Sequence, residues 1–455
     1  MPDPVATQPD NRQPIRDPRD AAYRHLSRHA KRFPDLIPTE VNVGPLDQRD
    51  SALAHAIVDA SLTRWITLGY IITTLSHRSL LEHEPRMQAV LLGGAAQLLL
   101  LDRVPPHAVL DESVEWAKRN IRPCAGGMVN AILRKVARAK GGRRDAWDHH
   151  IDSIPLSDGR ALALRGVELP DDGRRRLGIA CSLPVDLLQR WEKVHQDPTA
   201  AAMHTLCKAP TLICTRYAEA PLETDELAPH QSPHHAVYTG NRQSLIALLE
   251  SRPDIWVQDP ASSTTLGRLS LEKSPDLIVD LCAGQGTKTR QLRAMYPDAE
   301  LVAAEVDEKR LGVLRGFFAG DERVRVMHAD KVAERFNEAA DLVLADVPCS
   351  NTGVLARRRE ARYRPLNTQL GRLLTTQREI LTTTHALTKP GGHVLYATCS
   401  LEAEENEHQA QWAAGHLGME LLDSHGVVPQ VQPGDSPDTY RDGSFSALLR
   451  RPPTA

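Results

Sequence analysis

The chain has 455 residues, 41% apolar and 25% charged, and its 55 Lys and Arg against 58 Asp and Glu leave a net charge of −3. That length predicts about three domains and a core large enough for an enzyme, while the balanced charge argues against global disorder and against a polybasic architectural protein. The 7 cysteines (124, 181, 207, 214, 282, 349, 399) include no Cys-x-x-Cys pair, which argues against a disulfide framework or zinc cage and points to a reducing cytoplasm.

In chain order, residues 1–20 hold five prolines among many charges and read as a flexible tail with no apolar secretory stretch. Residues 47–147 show helical periodicity (Leu53, Ile57, Ala60, Leu62; Trp65, Leu68, Ile72, Leu75; Val90 to Leu101; Val129, Ile132, Leu133, Val136) and predict an all-helical bundle. The longest apolar run, Ala89 to Leu101, is broken by Gly93, Gly94 and Gln97 and is too short to span a membrane. A Gly/Arg/Asp-rich stretch, GGRRDAWDHHIDSIPLSDGR, is expected to be a separating loop. Residues 172–265 read as a small α+β module, with a helix at Val185 to Val194, a β-prone segment at Pro210 to Arg216 and a helix around Leu245 to Leu249.

From 266 to 455 short β-branched runs (LIVDL, ELVAAE, RVRVMH, DLVLAD, HVLYATCS) alternate with helical segments. That alternation predicts an α/β, Rossmann-like parallel sheet with right-handed crossovers and a ligand at the carboxyl ends of the strands. Asp280, Glu305 and Asp346 close the first, second and fourth strands and Asp330 follows the third, so a nucleotide-containing cofactor is expected across their tips. The first strand runs into Cys282-Ala283-Gly284-Gln285-Gly286-Thr287-Lys288. Its glycines admit a ligand to the backbone, and the helix that follows offers free N–H groups to an anionic moiety. Thr289 stands where a dinucleotide fingerprint needs its third glycine, which disfavours nicotinamide and flavin. Glu305 suits two ribose hydroxyls, and Asp330 is expected farther along the same cofactor.

Cys349, in Asp346-Val-Pro-Cys-Ser-Asn-Thr-Gly353, and Cys399, in Tyr396-Ala-Thr-Cys-Ser-Leu401, each lie just past a strand expected near the sheet centre, so their thiols should converge. For Cys124, Cys181, Cys207 and Cys214 a small buried hydrophobe is the expected role. Ala117 to Arg144 holds nine Lys/Arg and no acid, a stripe suited to RNA phosphates. A second cluster, Arg357, Arg358, Arg359, Arg362 and Arg364, is expected near the substrate entrance.

Residues 256–450 resemble the catalytic domain of the RNA cytosine-C5 methyltransferases of the NOL1/NOP2/Sun family through DLCAGQGTKT, DVPCSNTG, YATCSLEAEENE, VQDPASS, Pro390-Gly-Gly and Asp442-Gly-Ser-Phe445. ALAHAIVDASLTRWITL, the run from PRMQAVLL to VEWAK, and GGMVNAILRKVAR are similar to the NusB-like RNA-binding domain of the bacterial Sun/RsmB branch. The resemblance implies S-adenosyl-L-methionine as cofactor and 16S rRNA as partner, naked or in a small-subunit assembly intermediate, with a monomeric enzyme, no metal and no membrane. It implies that Cys399 is the nucleophile that adds to carbon 6 of cytosine and that Cys349 assists proton removal or release. Asp346 would hydrogen-bond the base, and Lys288 would lower a thiol pKa or hold Asp346. The family reads Ala-Pro-Gly-Gly-Lys where this chain reads Gly284-Gln-Gly-Thr-Lys288, so the turn is expected to be less preorganised. A non-catalytic RNA-binding assembly factor with a decayed methyltransferase domain is the alternative, and that turn is its one support. A small-molecule methyltransferase would need neither the paired thiols nor the helical module.

Overall fold

The computed structural model describes residues 14–194 and 197–453. Two compact units are present, residues 14–189 with 358–365, and residues 190–357 with 366–453.

The first unit opens at helix α1 (Pro18–Ala30), and Asp17 caps it by accepting from the N–H groups of Arg19 and Asp20. Here the structure departs from the flexible-tail expectation: residues 1–13 lie outside the described residues, but 18–20 are helical. Proline at the first helical position costs no hydrogen bond and presets φ, so it starts a helix as readily as it breaks one. The buried Asp20 then accepts from Trp116 Nε1 at 3.0 Å, which carries the bundle upstream of residue 47. Helices α2 (Gln48–Thr63), α3 (Trp65–Ser76), α4 (Pro85–Leu100), α5 (Pro106–Asn120) and α6 (Ala125–Ala139) complete it. Helix α4 is buried from Met87 to Leu99, which accounts for the long apolar run. Among the described residues no helix is long and apolar enough to cross a membrane.

The stretch read as a separating loop contributes two strands, β1 (Lys140–Arg144) and β2 (Ser153–Pro155), to an antiparallel sheet completed by β3 (Ala161–Leu164), in the order β1-β3-β2. A Cβ at Gly141 would stand 2.6 Å from the Ala163 carbonyl oxygen, so this glycine permits close strand approach rather than a turn. Helix α7 (Gly173–Cys181) follows.

The second unit starts within α8 (Val185–Val194) and continues through α9 (Pro198–His204) to a four-stranded sheet, β5-β6-β4-β7. Its strands are β4 (Thr211–Cys214), β5 (Leu227–Pro229), β6 (His235–Tyr238) and β7 (Trp256–Val257), with α10 (Arg242–Ser251) between the last two. After α11 (Pro260–Gly267) come β8 (Leu277–Asp280), α12 (Thr287–Met295), β9 (Glu300–Glu305), α13 (Glu308–Phe317), β10 (Val324–His328), α14 (Val332–Phe336), β11 (Ala340–Asp346), α15 (Leu366–Leu387), β12 (Thr388–Thr398), α16 (Glu407–Leu417), β13 (Glu420–Val427) and β14 (Ser444–Arg450).

These strands form one sheet, β10-β9-β8-β11-β12-β14-β13, in which the first five are parallel and β14 is antiparallel to both neighbours. The core on its two faces is aliphatic, with Val279, Val343 and Val394 on one side and Ile278, Leu342 and Leu344 on the other, as strands covered on both faces require. Strand order reverses between β8 and β11, and at such a switch point the loops leave in opposite directions and open a crevice.

Candidate active site

The parallel register sets the frame. Asp280 pairs with Leu344 and Asp346 with Ala397, so the ends of β8, β11 and β12 lie side by side at the switch point. Past Asp280 the chain turns through Gly284 (φ 58) and Gly286 (φ 89), and Gly286 occupies the N-cap of α12. Side chains rarely adopt these angles, so the glycines are required by the backbone itself. A Cβ on Gly284 would meet nothing within 4 Å, which leaves open space before the loop.

Asp280 is buried and accepts from Thr289 Oγ1 at 2.6 Å through Oδ2, while Oδ1 has no hydrogen-bond partner. Burial raises its pKa to about 7. Thr289, noted for breaking the dinucleotide pattern, thus holds the acid at the end of the first strand. Glu305, also buried, accepts from Gly284 N at 3.0 Å and from Val306 N and Asp307 N at 2.9 Å, so it braces the turn. Asp330 lies in a short 3-10 turn after β10, its side chain 82% exposed and 3.4 Å from His328 Nδ1. Cys282 lies within the turn; burial and the charges of Asp280, Asp346 and Glu305 push its thiol pKa up.

Lys288 Nζ donates to Asp346 Oδ2 at 2.7 Å. Burial alone would lower the ammonium pKa, but the Asp346 charge and hydrogen bond outweigh it and the net shift is upward. Of the two roles expected for Lys288, the geometry displays the hold on Asp346.

The sulfurs of Cys349 and Cys399 stand 3.2 Å apart. The ladder between β11 and β12 closes with Val347 N donating to the Ala397 carbonyl, after which Gly353 N donates to the Cys399 carbonyl at 2.9 Å. A Cβ on Gly353 would lie 2.8 Å from that carbonyl oxygen and 2.9 Å from that of Gly443, so the two loops touch through glycine. Asn351, at φ 64, donates through Nδ2 to the Cys349 carbonyl and accepts from Cys399 Sγ at 3.3 Å. The contact with Cys399 and burial both raise the Cys349 pKa, keeping it a protonated thiol.

Several groups at the site lie within or beyond the motifs with no local sign of their role. Asn351, Ser350, Ser400, Gln377 and Glu405 link the cysteine loops, and Glu405, which the sequence presents only as one acid within a longer motif, is fully buried among them. Short polar residues beside a cysteine give no local sign of pairing across about fifty positions.

Two other expectations need correction. Cys124 is exposed at the start of α6, whereas Cys181, Cys207 and Cys214 are buried as expected. Three of the five arginines of 357–364 are engaged by the fold: Arg357 binds Asp442 at 2.6 Å and Asp259 at 3.1 Å, Arg359 pairs with Asp59, and Arg362 is 1% exposed, whereas Arg358 is exposed. In the basic stripe Lys118, Arg122, Lys140, Arg143 and Arg144 form ion pairs with acids from outside it, while Arg134, Lys135 and Arg138 remain exposed on α6. No group of metal-ligating side chains occurs among the described residues.

This strand order, with an acid-lined glycine turn and two facing thiols at its centre, defines a Rossmann-like methyltransferase domain. Residues 269–427 match the family described as 16S rRNA methyltransferase RsmB/F, and residues 16–138 match the NusB family. The relatives named ribosomal RNA small subunit methyltransferase B in Xanthomonas campestris pv. campestris and Vibrio cholerae serotype O1 are each 28% identical, across 89% of this chain and 90% of theirs. The crystal structure of PH0851 shares the fold with a TM-score of 0.68 at 23% identity, covering 89% of this chain and 91% of that one. Residues 269–427 thus carry a domain similar to the RsmB/F methyltransferases, with a domain similar to the NusB family ahead of it in the sequence.

The methyl donor expected from the sequence, S-adenosyl-L-methionine, fits the residues present. The space before Gly284, the unpartnered Asp280 Oδ1 and the first turn of α12 offer room and polar groups of the kind an amino-acid moiety needs, and the Glu305 carboxylate ends the neighbouring strand.

Proposed function

We propose that this protein methylates carbon 5 of a cytosine in 16S rRNA through a transient covalent bond to Cys399. The observation that carries the reading is the 3.2 Å approach of two thiols beside the Lys288–Asp346 pair at the sheet's switch point. Bound S-adenosyl-L-methionine supplies an electrophilic methyl group. Carbon 5 of cytosine is a weak nucleophile within its ring, and addition of the Cys399 thiolate to carbon 6 makes it electron-rich. Water takes the carbon 5 proton, its bonding pair restores the ring double bond as the carbon 6–sulfur bond breaks, and the Cys349 thiol, 3.2 Å away, is placed to donate to the departing Cys399 thiolate. Asp346 Oδ2 is engaged by Lys288, and its other oxygen is available to accept from the exocyclic amine of the base. The target base must leave its stack to reach these groups.

On the cofactor side the roles fall to residues 282–288, Glu305, Asp330 and Asp346. Glu305 and the turn are braced together, whereas the exposed Asp330 is left to contact the adenine from the rim. The seven free cysteines agree with a reducing cytoplasm. Bisulfite sequencing of rRNA from a deletion strain tests the reading: one 16S cytosine should lose its methyl group and regain it on complementation, and an unchanged methylation map refutes it.

A further inference from the structure

Glu405 Oε1 accepts from Ser350 N at 2.9 Å and from Gln377 Nε2 at 3.0 Å, while Oε2 accepts from Ser400 Oγ at 2.6 Å and from Ser350 Oγ. Ser350 directly follows Cys349, and Ser400 directly follows Cys399. The backbone ladder that registers β11 against β12 has ended before these residues, so apart from the Gly353 N to Cys399 carbonyl bond it is side-chain chemistry that sets one loop against the other. Four donors converging on one buried carboxylate form a charge-assisted junction, stronger and shorter than neutral hydrogen bonds. The junction is reinforced around its edge. Ser350 Oγ and Ser400 Oγ lie 3.0 Å apart, Thr352 Oγ1 accepts from Leu401 N, and Tyr396 Oη donates to the Glu405 carbonyl.

We infer that Glu405 is a positioning residue for methyl transfer, a buried carboxylate that holds the serines after both cysteines and thereby sets the approach of the two thiols. It acts through Cys349 and Cys399 and touches neither sulfur. Its charge also raises the Cys349 pKa, adding to the effect of Cys399 and burial in keeping that thiol protonated. The inference rests on the proposed use of both cysteines in one reaction.

Full-length wild type, Glu405→Gln and Ser350→Ala/Ser400→Ala are compared in two assays. One is methyl transfer to RNA; the other, without RNA or methyl donor, is bridging of Cys349 to Cys399 by dibromobimane, mapped by peptide mass spectrometry. Both variants should bridge more slowly and show kcat reduced by about 10- to 100-fold with the RNA KM unchanged, as expected for misplaced reacting groups. In Glu405→Gln the pH–rate profile should also move to lower pH, because removing the neighbouring charge eases Cys349 ionisation, a shift that a purely structural role would not produce. A folded Glu405→Gln protein with wild-type bridging, kcat and profile overturns the inference. Should that variant not fold, the double serine variant decides by the same bridging and kcat criteria. A wild-type protein that bridges but methylates no RNA overturns the proposed function instead, and bridging in the variants still decides the role of Glu405.

Discussion

At the residue scale the two thiols differ in surroundings. Cys349 is buried, and the contact with Cys399 and burial push its thiol pKa up, whereas Cys399 is partly exposed and donates to Asn351 Oδ1. Cys399→Ala should therefore abolish methylation and all covalent capture of RNA containing 5-fluorocytosine, because no bond to carbon 6 can form. Cys349→Ala should still attack the base yet release it slowly, leaving a denaturant-resistant protein–RNA adduct on ordinary cytosine. The reverse pattern on a denaturing gel would exchange the two assignments. Glu305 makes its own prediction. Glu305→Ala removes the acceptor for Gly284 N together with the carboxylate proposed to bind the ribose, so calorimetry should show cofactor affinity reduced by about tenfold or more, the equivalent of one charge-assisted hydrogen bond.

Elements place these residues through close approaches that tolerate little added volume. The loop after β11 approaches the loop after β12 at Gly353, where a Cβ would press on two backbone carbonyls that cannot swing away. Gly353→Ala should destabilise the protein by about 1–3 kcal/mol in denaturant titrations, the usual cost of overpacking, and should lower kcat with it. A wild-type midpoint would mean the loops separate easily. Helix α1 offers a milder case: Asp17→Ala removes a side-chain cap and should cost about 0.5–2 kcal/mol. Local chemistry made parts of this legible, since the β-branched runs before Asp280, Glu305 and Asp346 mark their strands. It failed for β13 and β14, which pair with each other across residues 428–443 and join the sheet only through β14 against β12.

Over the whole molecule, charge acts at two depths. On the surface of α6, Arg134, Lys135 and Arg138 are exposed; replacing all three with Ala should weaken RNA binding and flatten its salt dependence by about 0.7 to 0.9 for each phosphate no longer neutralised. An unchanged slope would make them ordinary solvated surface. In the interior, Asp280 has a pKa raised to about 7 by burial, against about 3.9 in an unfolded chain. The native state therefore holds this proton more tightly. The resulting stabilisation is fully present below the unfolded pKa and is lost as pH rises through about 7. Asp280→Asn should flatten the fall in stability between about pH 4 and 7 seen in urea titrations of the protein without cofactor.

Periodicity and spacing alone determined the helical bundle, the five parallel strands and the acids and cysteines at their ends, because each is written within a window of about ten residues. The motifs around Gly284, Cys349 and Cys399 added the chemistry. Tertiary structure alone decided that Gly141 lies in a strand, that Arg357 and Arg362 are internal struts rather than an RNA-facing patch, and that Cys124 is exposed. It also decided that Glu405 joins two loops some fifty residues apart. A glycine, an arginine or a serine has the same local signature whether it faces water or a distant segment, and only the packed chain supplies the carbonyl, carboxylate or thiol that gives it a role.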